Sequence, residues 1–152
     1  MAGMVHCDLS QLEAYSKALK VFSESEIDRL FVSCSKALAA RLLALVIPKT
    51  PVGVYPPSSG KVGGTLRRGW TGNAKESAVG YAAGLPVYKR GTDYVVDIIN
   101  PVEYASYVEY GHRTVSGGWV PGRYMLTISE KSLQSMAPRV LENLILQKMR
   151  GL

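Results

Sequence analysis

A chain of 152 residues, 47% hydrophobic and 20% charged, has the length and make-up of one globular domain with a modest core, spanning residues 1–152. Two cysteines, Cys7 and Cys34, are too few for a disulfide scaffold; residues 1–12 lack the apolar core of a signal peptide; and the most apolar run, residues 38–47, is interrupted by Arg41, well short of the ~20 residues that span a bilayer. These features set the expectation of synthesis in a reducing cytoplasm without membrane contact.

In chain order, residues 9–22 are expected to form a short helix capped by Asp8, with Leu9, Leu12, Leu19 and Phe22 at helical spacing. Ser23 and Glu26 stand at capping-box spacing and open a second helix. Ile27, Leu30, Phe31, Cys34, Leu38, Leu42, Leu45 and Val46 give it a continuous apolar stripe. Pro48 should stop it, because proline has no amide hydrogen and disfavours helix in the residue before it. Residues 48–64 hold four prolines and four glycines and read as a long loop. Residues 65–72 read as a strand with Trp70 facing inward, and residues 74–84 as strand or loop. Residues 85–89 and 93–99 are further strands, joined by a tight connection at Arg90, Gly91 and Thr92. Residues 104–110 read as a short helix or turn ended by Gly111, and residues 113–122 as a second loop. A last helix starts near Arg123 or Tyr124, with Pro138 kinking or breaking it. The expected fold class is α+β: an antiparallel sheet of about three to five strands, with the long second helix and the C-terminal helix on one face.

The candidate chemistry is thin. Gly60 and Lys61 evoke a phosphate-binding loop, but Tyr55 and Val62 stand where that motif requires glycine and serine or threonine. His6, Cys7, Cys34 and His112 share no chelating spacing, so no metal and no cofactor are expected. Glu103, Glu109 and His112 cluster near one turn, yet no nucleophile or oxyanion site accompanies them; the expectation is a protein that is not an enzyme.

Charge and aromatic residues say more. The net charge is +6, and no acidic residue falls between Asp28 and Glu76, where Arg29, Lys36, Arg41, Lys49, Lys61, Arg67, Arg68 and Lys75 all lie. A polyanion partner would explain that run, and so would a solvated helix face followed by a basic loop. Tyr104, Tyr107 and Tyr110 recur at i, i+3 and i+6. They either pack this turn onto the sheet or meet a neighbouring subunit, where rigid amphipathic rings gain contact area at low entropic cost. Trp119 either anchors a partner or folds back over the local core. Arg113 and Arg123 bracket the same loop.

The stretch NPVEYASYVEYGHRTVSGGWVPGRYML (residues 100–126), with TPVG (50–53) and TLRRGW (65–70), resembles the ordered blocks of the neck and tail-completion proteins of tailed bacteriophages. The blocks span residues 35–145. The segment YPPSSGKVGG is longer than the family's usual turn, and residues 1–30 match no block. The resemblance implies a non-enzymatic virion protein, made in the host cytoplasm and assembled as a ring at the neck or tail top. A hexamer is favoured and a dodecamer is the alternative. Adjoining connector or head-closure proteins and tail-terminator or tail-tube proteins would be its partners. Interface candidates are Tyr55, Tyr104, Tyr107, Tyr110, Arg113, Trp119 and Arg123; candidates to face packaged DNA are Lys61, Arg67 and Arg68. A small basic nucleic-acid-binding protein is the alternative reading.

Overall fold

The computed structural model describes residues 10–21, 24–72 and 74–151. Helix α1 (Ser10–Val21) is followed by α2 (Glu24–Lys49), a 3-10 turn (Pro57–Ser59), α3 (Thr65–Gly69) and α4 (Ala78–Ala83). Strands β1 (Tyr88–Arg90) and β2 (Asp93–Val95) precede α5 (Ala105–Tyr110), then β3 (Gly111–Arg113), β4 (Trp119–Pro121) and α6 (Met125–Arg150). The expected caps Asp8 and Ser23 lie outside the described residues.

Helix α2 carries the core. Its face of Cys34, Ala39, Ala40, Leu43 and Val46 is buried and packs mainly against α4 and α6. Ala39 and Ala40 keep that face low enough for close helix approach. Leu43 and Val46 are completely buried, in one cluster with Leu66, Trp70, Ala82 and Met125. By length and composition α2 would also suffice to cross a membrane, which the run 38–47 alone did not suggest; here Cys34, Ala39, Ala40, Leu43 and Val46 are buried, while Ile27 and Phe31 of the expected stripe stay exposed. Pro48 sits inside the last turn, and the helix runs one residue past it, to Lys49. Burial pushes the Cys34 thiol above its ordinary pKa.

The expected single sheet is not what forms among the described residues. There are two separate antiparallel hairpins, β1–β2 and β3–β4, and the core lies between helices. Residues 65–69 are helix, not strand, although Trp70 does face inward, 3% exposed. Residues 78–83 are helix α4, capped by Ser77, whose Oγ accepts from the Gly80 amide at 3.1 Å. The loop expected at 113–122 is largely the β3–β4 hairpin, with Gly111 opposite Pro121, His112 opposite Val120 and Arg113 opposite Trp119. Helix α6 continues through Pro138; loss of one amide donor does not break a helix of 26 residues held on α2.

The β1–β2 hairpin is pinned to α2 by one polar knot. Lys89 pairs with Asp28 at 2.7 Å, the Tyr94 hydroxyl donates to the same Asp28 oxygen at 2.6 Å, and the Lys89 ammonium lies 4.9 Å from the Tyr94 ring centre. Lys89 first, then Tyr94, holds the Asp28 carboxyl below its ordinary range. The Lys89 ammonium is correspondingly raised, chiefly by Asp28.

Candidate assembly surface

Three side-chain clamps position this end of the molecule. The first joins the end of α2 to α3. Thr50 is fully buried; its hydroxyl donates to the Val46 carbonyl at 2.8 Å and accepts from the Trp70 indole N–H at 2.8 Å. Arg67 donates from Nε and Nη2 to the Thr50 carbonyl at 3.1 and 2.7 Å, and from Nη2 to the Pro48 carbonyl at 3.3 Å. The guanidinium therefore satisfies carbonyls left open at the helix end, where positive charge also complements the dipole.

The second clamp joins α3 to the approach to α5. Asn100 donates from Nδ2 to the Leu66 carbonyl at 2.8 Å and accepts on Oδ1 from the Val102 amide at 3.2 Å. Gly69 is required beneath it, since a Cβ there would run into Asn100 Oδ1 and the Val102 side chain.

The third clamp ties α5 to α6. Glu109 is 5% exposed. Its carboxylate accepts from the Leu126 and Thr127 amides, both at 2.9 Å, and from the Thr127 hydroxyl at 2.6 Å. The residue at the N-cap of α6, Tyr124, supplies no side-chain cap of its own, so Glu109 caps the helix from another element. A negative charge at a helix start also complements the dipole. Main-chain bonds from Arg123 to Val108 (2.8 Å) and from Tyr124 to Glu109 (3.0 Å) reinforce the junction. Gly111 exits α5 at φ 87°.

On the elements around these clamps several aromatic residues face solvent. Tyr104, Tyr107, Tyr110 and Trp119 are 43, 59, 61 and 62% exposed. The Tyr110 and Tyr124 rings meet edge to face with centres 6.4 Å apart, and Tyr107 tilts against His112 at 5.8 Å. Tyr55, on the 48–64 loop, shares with Tyr104 a groove of about 210 Å³ between that loop and α5. Arg113 and Arg123 are exposed at the border of this face. Of the basic candidates, Lys61 and Arg68 are exposed, Arg67 is half-buried, and Lys61 lies 5.8 Å from the Tyr55 ring centre.

Glu103, Glu109 and His112 do not converge as an acid–base set: Glu103 is exposed, while the Glu109 carboxylate faces the start of α6. Among the described residues no group of three or more histidine, cysteine or carboxylate side chains could hold a metal. Sequence reasoning missed the roles of two residues it had named. Glu109 acts across 17 and 18 positions, beyond any local signal. Tyr124, among the described residues, is the one non-glycine with positive φ, at 49°. A tyrosine gives no hint of a left-handed backbone.

The site can bury aromatic area against another surface; it holds no constellation for bond-making chemistry among the described residues. No curated protein and no solved structure matches the chain. Residues 13–111 match the family described as "Bacteriophage HK97-gp10, putative tail-component", a span that includes the first two clamps and ends at the exit of α5. The chain belongs to this HK97-gp10 family, and with it to the structural components of the bacteriophage virion.

Proposed function

We propose that this protein assembles as a ring at the neck or tail top and joins or completes the head–tail connection, without catalysis. The observation that carries the reading is the set of solvent-facing Tyr104, Tyr107, Tyr110, Trp119 and Tyr124, carried on α5, the start of α6 and the β3–β4 hairpin rather than on a loose loop. Several large exposed aromatic residues on a small protein favour a surface that is covered in its working state. Family membership supplies the setting: a hexamer matches the symmetry of a tail tube, and a dodecamer that of a head connector. Tyr55, Arg113 and Arg123 complete the proposed contact set, with connector or head-closure and tail-terminator or tail-tube proteins as neighbours in the virion.

The second reading, contact with packaged DNA through Lys61, Arg67 and Arg68, rests on the acid-free run. Lys36, Lys49, Arg67 and Arg68 all donate to main-chain carbonyls of the subunit, which favours structural use for half of those eight cations. Light scattering of the full chain, alone and with its tail-tube or connector protein, tests the main reading. A ring or a joint complex is expected, weakened when Tyr107 and Tyr110 are changed to serine. A permanent monomer that ignores both proteins but binds DNA with a steep salt dependence refutes the reading and promotes the second.

A further inference from the structure

Beyond Val95 the chain runs on without a strand partner. In residues 96–103, Val96, Ile98 and Val102 are half-buried and pack against the core, while Asp97, Ile99, Pro101 and Glu103 are exposed. That two-residue alternation has the period of extended chain, although pairing as a strand stops at Val95 and residue 103 begins a turn. Strand β1 cannot extend the ladder alongside it: with Tyr88 opposite Val95, Pro86 falls opposite Asp97, and proline has no N–H to give. Residues 97–101 make no main-chain hydrogen bond among the described residues. Beside this open edge lies a groove of about 240 Å³, lined by Trp70, Ile98, Ile99, Met125, Leu126 and Tyr110 among others.

A matching donor sits on the same subunit. In residues 51–55, Val54 is 94% exposed, and the main chain of this segment makes no hydrogen bond among the described residues. The segment lies on the flank of α5 that presents Tyr104 and Val108. The open edge and its groove lie on the flank that presents Ala105, Ser106 and Tyr110. Charges complement as well: exposed Lys61 follows the donor segment, while exposed Asp97 and Glu103 mark the edge.

We propose that residues 51–55 of one copy add as a short strand to the 97–101 edge of the next copy, placing Val54 in the groove floored by Trp70 and Met125. This rests on the ring reading and names its contact. Main-chain pairing gives the attachment, and one apolar side chain in a pocket gives register. Donor and acceptor occupy different flanks of α5, so the interface is head-to-tail, the kind that closes into rings. Pro51, Pro56 and Pro101 confine the pairing to a few residues. Each joint is therefore weak, and closure of the ring makes the set stable.

Two variants in a Cys7→Ser background test the idea, Cys34 being buried. A Val54→Cys chain and an Ile99→Cys chain, mixed under assembling conditions and oxidised, should give a covalent dimer containing one of each. Val54→Asp should lower the assembled fraction by about tenfold or more with the protomer's melting temperature unchanged, since Val54 is almost wholly exposed. If the wild-type chain assembles but the mixture gives no such dimer, or Val54→Asp assembles normally, strand addition is overturned while the ring stands. If Val54→Asp blocks only joining to the tail-tube protein, the second copy is the wrong occupant. A wild-type chain that stays monomeric with and without that protein removes the ring and this contact together.

Discussion

Replacing Glu109 should cost more stability than its position in a six-residue helix suggests. Its carboxylate closes three hydrogen bonds at the start of α6, two from amides at 2.9 Å and one from the Thr127 hydroxyl at 2.6 Å. Glu109→Ala removes all three. Loss of a helix cap costs typically about 1 kcal/mol, and hydrogen bonds to a charged group contribute about 1.5–3 kcal/mol each. Leu126 and Thr127 are only half-buried, so water recovers part of this, and the expected loss is about 2–4 kcal/mol. At this chain length each kcal/mol lowers the melting temperature by about 2–4 °C. Glu109→Gln keeps an acceptor oxygen but turns an amide donor toward the helix start, and should lose about half as much. Thr127→Val removes one bond alone, at about 1 kcal/mol. Urea unfolding followed by circular dichroism, run as a double-mutant cycle between positions 109 and 127, measures each of these. An Ala variant within about 0.5 kcal/mol of wild type, the range of ordinary surface substitutions, would refute the cap.

Thr50→Val should destabilise by about 1–3 kcal/mol because the Trp70 indole N–H is left buried without an acceptor, whereas Thr50→Ser should be far milder; equal melting curves for the two would sink the argument. Gly69→Ala drives a Cβ into Asn100 and Val102, and overpacking of this kind costs about 1–3 kcal/mol; a crystal structure of the variant showing Asn100 unmoved would count against it. The Asp28 carboxyl is held low by Lys89 and Tyr94, so its stabilising effect is present above the unfolded pKa of about 3.9 and disappears as pH falls through the lower folded value. Melting curves of wild type and Asp28→Asn should thus differ at neutral pH and converge in strong acid; a constant gap across that range contradicts the ion pair.

How much of this was legible in the residues depended on the range of the interaction. Helices α2 and α6 announce themselves through apolar spacing sustained over many turns, and Gly111 marks the end of α5 by the positive φ it adopts. Helix α3 has five residues, too few for a 3.6-residue period to show, so TLRRGW read as strand. The β-branched residues of 95–99 did signal extended chain, and residues 96–103 do alternate in and out. What composition cannot specify is the partner, and Pro86 removes the nearest one. Tyr104, at the N-cap of α5, and Tyr107 and Tyr110 within it were placed on one edge by spacing alone. Whether that edge faced core or solvent depended on the neighbouring elements, and α6 and the β3–β4 hairpin leave it open. Glu109 looked like a polar turn residue because its partners lie in another helix.

The blocks that carry the family resemblance hold the subunit together as well as showing a surface. Thr50 and Trp70 bond to each other, Asn100 bonds to Leu66, and Glu109 caps α6. Interleaved with them are residues turned mostly to solvent, Val54 and Tyr107 among them. In YASYVEYG the two roles alternate along a single short helix and its N-cap: Val108 and Glu109 face in, Tyr104, Tyr107 and Tyr110 face out. In the proposed ring a helix so divided has to be held still, because an interface made of weak joints would tolerate little variation in angle from copy to copy. The hydrogen bonds that Glu109 accepts from the start of α6 tie that helix to its neighbour beside the exposed tyrosines. Loosening the cap should therefore weaken assembly even where the folded fraction stays near unity, whereas changing an outward tyrosine should weaken assembly with the melting temperature unmoved. Measuring both properties on Glu109→Gln and Tyr107→Ser separates a surface that merely sits on the fold from one that the fold is built to hold still.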